Sequence, residues 1–99
     1  MRPIHAVHLW GARPAVVLTR ELVRPYLSWV TVAPISRTIR GLSTEVPVGP
    51  RNGLPEEAVV SCDRVTTIPA SALGERLGVL GPSQEAQLAA AIRAAFDMD

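Results

Sequence analysis

Up to Leu80 the apolar residues fall in short runs, rich in Val, Ile and Thr and broken by Pro, Gly and Arg; a longer pattern with helical spacing begins only after it. β-Branched residues in short, interrupted runs predict strands joined by turns rather than helices. The runs place strands at Pro3 to Leu9, Arg13 to Thr19, Ser28 to Ile35, Ser43 to Val48, Ala58 to Cys62 and Arg76 to Leu80. Only Trp10-Gly11-Ala12 separates the first two, which predicts a tight hairpin. The connection from Gly49 to Glu57 carries Pro50, Asn52-Gly53 and Pro55, all turn formers. Pro69 to Leu73 predicts one helical turn, ended by Gly74. Behind Gly81 as N-cap and Pro82 at the first helical position, Leu88, Ile92, Ala95 and Phe96 recur on one stripe while Gln87 and Arg93 fall off it. That pattern predicts an amphipathic C-terminal helix. Its acidic end, Asp97-Met98-Asp99, opposes the helix dipole and predicts fraying. The elements add up to a single domain over residues 1–99, mostly β, as a small antiparallel β-barrel closed by a C-terminal α-helix.

Composition narrows the class. At 99 residues, 47% of them hydrophobic and 19% charged, the chain is long enough for one core and too apolar for disorder. No apolar run approaches the roughly 20 residues of a membrane span, and Met1-Arg2-Pro3-Ile4-His5 lacks the apolar region of a secretory signal, so a cytoplasmic protein is expected. The lone Cys62 sits in an apolar run as a small hydrophobe, which fits a reducing compartment. Net charge is only +1, but residues 1–51 hold seven arginines against Glu21 and Glu45, while residues 52–99 hold three against seven acids. Every cation is arginine, which fits bidentate phosphate recognition and equally fits a GC-rich coding bias.

Three strand edges carry polar residues able to do chemistry: Arg13 before its run, Ser36 after Val32-Ala33-Pro34-Ile35, and Asp63 after Val59-Val60-Ser61-Cys62. A strand fixes the direction of its flanking side chains, so a cation, a hydroxyl and a carboxylate can converge on one phosphate. Pro14 holds Arg13 extended. Each of the three also has an ordinary reading, as a solvated strand end or a turn residue, and the residues alone leave both open. Arg20, Arg37, Arg40 and Arg64 flank the same runs and would surround a bound polyanion. Trp10, in the hairpin, offers a stacking face for a nucleobase or folds onto the core, whereas Trp29, mid-strand, is expected in the core. His5 and His8, three apart on one strand, face opposite sides and cannot hold one metal together. The chain has no Walker loop, no Gly-x-Gly-x-x-Gly and no Gly-x-Ser-x-Gly, so ATP, NAD and serine-hydrolase readings lack support.

In order and spacing, four segments resemble the MazF (PemK-like) endoribonuclease toxins: Arg13 to Thr19, Val32 to Ser36, Leu54 to Asp63 and Leu73 to Leu80, followed by the Pro-led helix. The resemblance implies an SH3-like, CcdB-like barrel that forms a homodimer, cleaves single-stranded RNA at short sequences without metal or cofactor, and is neutralised by a MazE-like antitoxin. It implies attack by the ribose 2′-OH to leave a 2′,3′-cyclic phosphate and a 5′-OH, with Arg13 and Ser36 as the catalytic pair and Asp63 as a third member. Two departures stand out. The first hairpin is shorter than the family's, and Ser61 stands where some members have arginine, which leaves His5, His8 or solvent as substitutes for Asp63 as base. Two rivals share the fold, a non-enzymatic CcdB-like gyrase poison and a catalytically weak RNA-binding module. Against the first, the chain ends Phe96-Asp97-Met98-Asp99 where CcdB-type proteins end Trp-Gly-Ile.

Overall fold

The fold is organised by its longest strand, Trp29–Ser36, whose length lets one edge pair with two partners in succession. The computed structural model describes residues 2–98. It contains strands β1 (Pro3–Val7), β2 (Arg13–Val17), β3 (Trp29–Ser36), β4 (Glu45–Val48), β5 (Ala58–Ser61), β6 (Thr66–Pro69) and β7 (Leu73–Val79), then helix α1 (Pro82–Ala95). All pairings are antiparallel and run in the order β4-β5-β3-β2-β1-β7. β6 pairs with residues 29–32 of β3, and β5 with residues 35–36. Among the described residues no ladder joins β4 to β7, so the sheet is open where a closed barrel was expected.

Both faces of the middle strands are buried, which is why Ala15-Val16-Val17 reads as a continuous apolar run. One face packs Ile4, Val16, Ala33, Val46 and Val60 under Leu88 and Ala91 of α1. The other gathers Val7, Ala15, Val17, Val30, Val32 and Ile68. Gly81 caps α1 and Pro82 opens it, as the sequence predicts. Its buried stripe is Gln84, Leu88 and Ala91, flanked by half-buried Ile92 and Ala95. Phe96 was expected on that stripe but is 55% exposed, because the helix ends at Ala95 and the next residue leaves helical geometry.

Several boundaries differ from expectation for local reasons. β1 stops at Val7, since His8–Trp10 form a 3-10 turn and Gly11 and Ala12 both adopt left-handed backbone. The hairpin connection is therefore longer than Trp10-Gly11-Ala12. Cys62–Arg64 form a similar turn that ends β5 at Ser61. β6 was not foreseen, and β7 starts at Leu73 rather than Arg76. The turn expected at Pro69 to Leu73 is present as a 3-10 turn, Ala70–Ala72. Trp29 is 58% exposed rather than buried, because it lies at the end of β3 opposite Pro69, on the face of half-buried Thr31, where nothing covers the sheet.

A buried amide pair joins the ends of the sheet that no ladder joins. Asn52 donates to the Val79 carbonyl (3.0 Å) and to Gln84 Oε1 (2.6 Å), and its own oxygen accepts from the Gly49 N–H (3.0 Å) and from Gln84 Nε2 (3.1 Å). Gln84 also donates to the Pro47 carbonyl (3.1 Å) and accepts from the Gly81 N–H (2.8 Å). Every donor and acceptor of the two amides is used, so the pair links β4, β7 and α1 with no unsatisfied group. Beside it, Gly53 and Gly78 let two backbones touch: a Cβ on Gly78 would overlap the Asn52 carbonyl, and one on Gly53 the Leu77 carbonyl. This close approach fixes the start of the segment 54–57 that borders the functional site.

Candidate active site

Register brings the first two candidates together. β2 and β3 pair as Ala15 with Pro34, Val16 with Ala33 and Val17 with Val32. Carried two residues further, the same register sets Arg13 opposite Ser36, on one face because side chains alternate with period two. Directly opposed residues have Cβ atoms about 5 Å apart, close enough for both side chains to reach one phosphate. Arg13 opens β2 and is exposed; Ser36 closes β3 and is half-buried. The exposure of Arg13 follows from its neighbours, since Gly11 and Ala12 bring almost no bulk and Pro14 keeps the backbone extended.

Both residues line a cleft of about 780 Å³. Leu54 and Leu77 contribute apolar surface, and Arg37, Arg64 and Glu56 add charge. Trp10 packs on the second core cluster, one of its two sequence readings, and also lines the cleft. Ser36 is likewise both a turn residue and a cleft residue. Its Oγ accepts the Thr38 N–H at 3.1 Å, which leaves the hydroxyl hydrogen free to donate into the cleft. Arg37 donates to Glu56 at 2.8 Å, and that hydrogen bond, with the attraction of the carboxylate, raises the Arg37 pKa above its ordinary value.

The remaining candidates lie elsewhere. Asp63 is exposed in the turn after β5, outside the cleft lining, and accepts a hydrogen bond from Thr44 Oγ1. Arg20 and Arg40 are also exposed and outside the lining. The backbone N–H groups of Arg40 and Leu42 donate to Glu45 Oε1, so this loop is shaped by a carboxylate. Of the four arginines expected from sequence to ring the site, Arg37 and Arg64 line the cleft, beside Arg13. His5 and His8 do not sit on one strand as expected. His5 Nδ1 donates to the Gly74 carbonyl (2.9 Å), and the His8 ring, in the 3-10 turn, packs against the same glycine. Neither lines the cleft. Among the described residues no group of His, Cys, Asp and Glu is arranged to hold a metal, and no helix is long and apolar enough to cross a membrane. Cys62 is buried, and burial, reinforced by the charge of Asp63, pushes its thiol up to about 11.

Sequence reasoning gave no role to Glu56, the one carboxylate in the cleft lining among the described residues. The only available signal was the acidic pair Glu56-Glu57 directly after Pro55, and it does not say which of the two faces the cleft.

A family model described as PemK-like, MazF-like toxin of type II toxin-antitoxin system matches residues 7–96. The curated endoribonuclease MazF3 of Mycobacterium tuberculosis is 59% identical over 99 residues, spanning 100% of this chain and 96% of its own length. Among solved structures, the Mycobacterium tuberculosis toxin MazF-mt6 superposes with a TM-score of 0.95 at 58% identity, covering 99% of each chain. An endoribonuclease in complex with its cognate antitoxin, from a mycobacterial species, shares the fold with a TM-score of 0.86 at 22% identity, over 98% of this chain and 93% of that one.

Proposed function

The chain belongs to the PemK-like, MazF-like toxin family of type II toxin–antitoxin systems, and on that premise we propose that it is an endoribonuclease toxin that cuts single-stranded RNA at short sequences. The observation that carries the reading is that Arg13 and Ser36, which the β2–β3 register extended by two residues sets opposite one another, line one arginine-bearing cleft. A phosphate seated between them receives guanidinium N–H groups from Arg13 and the free hydroxyl hydrogen of Ser36. The neighbouring 2′-oxygen attacks phosphorus, forming the O2′–P bond as the P–O5′ bond breaks. One proton leaves O2′ to solvent and another reaches O5′, giving a 2′,3′-cyclic phosphate and a 5′-OH.

Arginine does not lose its proton in proteins, so Arg13 acts by neutralising the charge that grows on the non-bridging oxygens. The nucleophile comes from the substrate and the cation from the protein, so the chemistry calls for neither metal nor cofactor. Asp63 contributes indirectly, by holding Thr44 and the approach to β4. Arg64 and Arg37 bind flanking RNA, and Trp10 offers a face for base stacking. Arg20 and Arg40 meet only RNA that extends beyond the cleft. The open sheet is read as the family's SH3-like barrel, with the Asn52–Gln84 pair standing in for a closing ladder. We read the protein as a cytoplasmic homodimer neutralised by a cognate antitoxin. Incubating it with long single-stranded RNA in EDTA tests the activity: discrete fragments are expected, and RNA left intact contradicts it.

A further inference from the structure

Among the described residues, three arginines and a single carboxylate, Glu56, line the cleft. In a groove that holds a polyanion the carboxylate is the group that needs explaining. It repels phosphates, and it occupies Arg37 at 2.8 Å. Fold stability does not account for it, because the two side chains are 76% and 59% exposed, where ion pairs contribute little. Nor is it a free surface residue. Leu54 is buried, and the Gly53 backbone rests on Leu77, so Glu56 rides on an anchored turn. Glu57, its neighbour, lies against Gly49 in a different depression, which leaves Glu56 as the carboxylate of the cleft among the described residues.

An ionised carboxylate only accepts hydrogen bonds, and so does a phosphodiester; the two have nothing to exchange. A nucleobase amino group does donate. Cytosine, adenine and guanine each carry an exocyclic amino group beside a ring acceptor, whereas the one edge donor of uracil, N3–H, lies between two carbonyl oxygens, of which a neighbouring guanidinium can satisfy one while the other repels the carboxylate. The Arg37–Glu56 pair presents a donor and an acceptor side by side, which matches an amino group next to an acceptor on an unstacked base. Backbone-only binding would leave Glu56 facing phosphate with no hydrogen bond in compensation, so the same group disfavours non-specific RNA.

We propose that Glu56 is a specificity residue: it accepts a hydrogen bond from the exocyclic amino group of an unstacked base beside the scissile phosphate while Arg37 donates to the adjacent ring acceptor, selecting amino-bearing bases over uracil at one position of the cut site. This rests on the RNA-cleaving reading above, and the experiment keeps the two apart. Wild type and Glu56→Gln, a surface change whose folding is checked by circular dichroism, are given a randomised single-stranded RNA library, and both cleaved ends and retained RNA are sequenced. In the wild type, one position next to the cut is expected to be depleted of uracil by about tenfold. In Glu56→Gln, whose amide can turn to donate as well as accept, that depletion should fall to about twofold or less, with the pH profile of cleavage unchanged. The inference is overturned if no position disfavours uracil, if the variant keeps the wild-type profile, if KM falls equally for all sequences, or if kcat drops with loss of a limb of the pH profile, which would make Glu56 a base. Should the wild type leave the library uncut, the cleavage reading fails. The retained RNA then decides the inference alone: uracil depletion in the wild-type pool and not in the variant's supports it, and equal pools overturn it.

Discussion

In the proposed mechanism Arg13 and Ser36 act on one phosphate with different chemistry, and single substitutions separate their contributions. Arg13→Ala removes an oriented cationic donor and is expected to lower kcat by about a hundred- to a thousandfold. Arg13→Lys should restore little of that, because an ammonium cannot reproduce the planar fork. Ser36→Ala removes one hydrogen bond to a charged group and should cost about tenfold to a hundredfold in rate, with Ser36→Thr retaining activity because it keeps the hydroxyl. Single-turnover cleavage measures all four. Cys62 gives a prediction about stability. Its thiol is raised from 9.0 to about 11, so between those values the unfolded chain releases a proton that the folded chain keeps. Stability should therefore fall as pH rises through that window, and Cys62→Ala should remove this part of the slope in denaturation curves. At this scale the meeting of Arg13 and Ser36 in one cleft was legible in the sequence, because strand periodicity fixes which edge residues share a face. Glu56 was not, since a carboxylate in a turn carries no periodicity to say where it faces.

Between elements, the Asn52–Gln84 pair does what a closing ladder would do, and its loss should be felt as buried polar groups left unpaired. Asn52→Ala and Gln84→Ala are each expected to cost about 1–3 kcal/mol in urea denaturation, and the double variant less than the sum, because each single change already strands the partner. Gly78→Ala forces a side chain into the Asn52 carbonyl and should both destabilise the fold and displace the turn that carries Glu56. Most strands were readable from their apolar runs. β6 was missed because Thr66-Thr67-Ile68-Pro69 buries only Ile68 and so shows no alternation; it exists because β3 is long enough to offer it a free edge. The C-terminal turn of α1 was misjudged for the opposite reason: Phe96 fits the helical stripe in sequence, but the helix ends before the stripe reaches it.

Taken as a whole molecule, a net charge of +1 conceals a cleft in which arginines from both halves of the chain meet, Arg13 and Arg37 from the first and Arg64 from the second. Binding of RNA there should weaken with added salt, and each phosphate neutralised by an arginine should steepen the fall of log K with log salt by about 0.7. Arg64→Ala should make that fall shallower and raise KM with little change in kcat, whereas Arg13→Ala should act chiefly on kcat. The proposed mechanism turns on the substrate's own 2′-oxygen as nucleophile, with its phosphate held by Arg13 and Ser36. The most direct test is to determine the end groups of fragments made in EDTA, beside a substrate bearing a single 2′-deoxynucleotide at the cut. The expected result is 2′,3′-cyclic phosphate and 5′-OH ends and no cleavage of the deoxy substrate; 3′-OH ends with 5′-phosphates, or cleavage that survives the deoxy replacement, would contradict it.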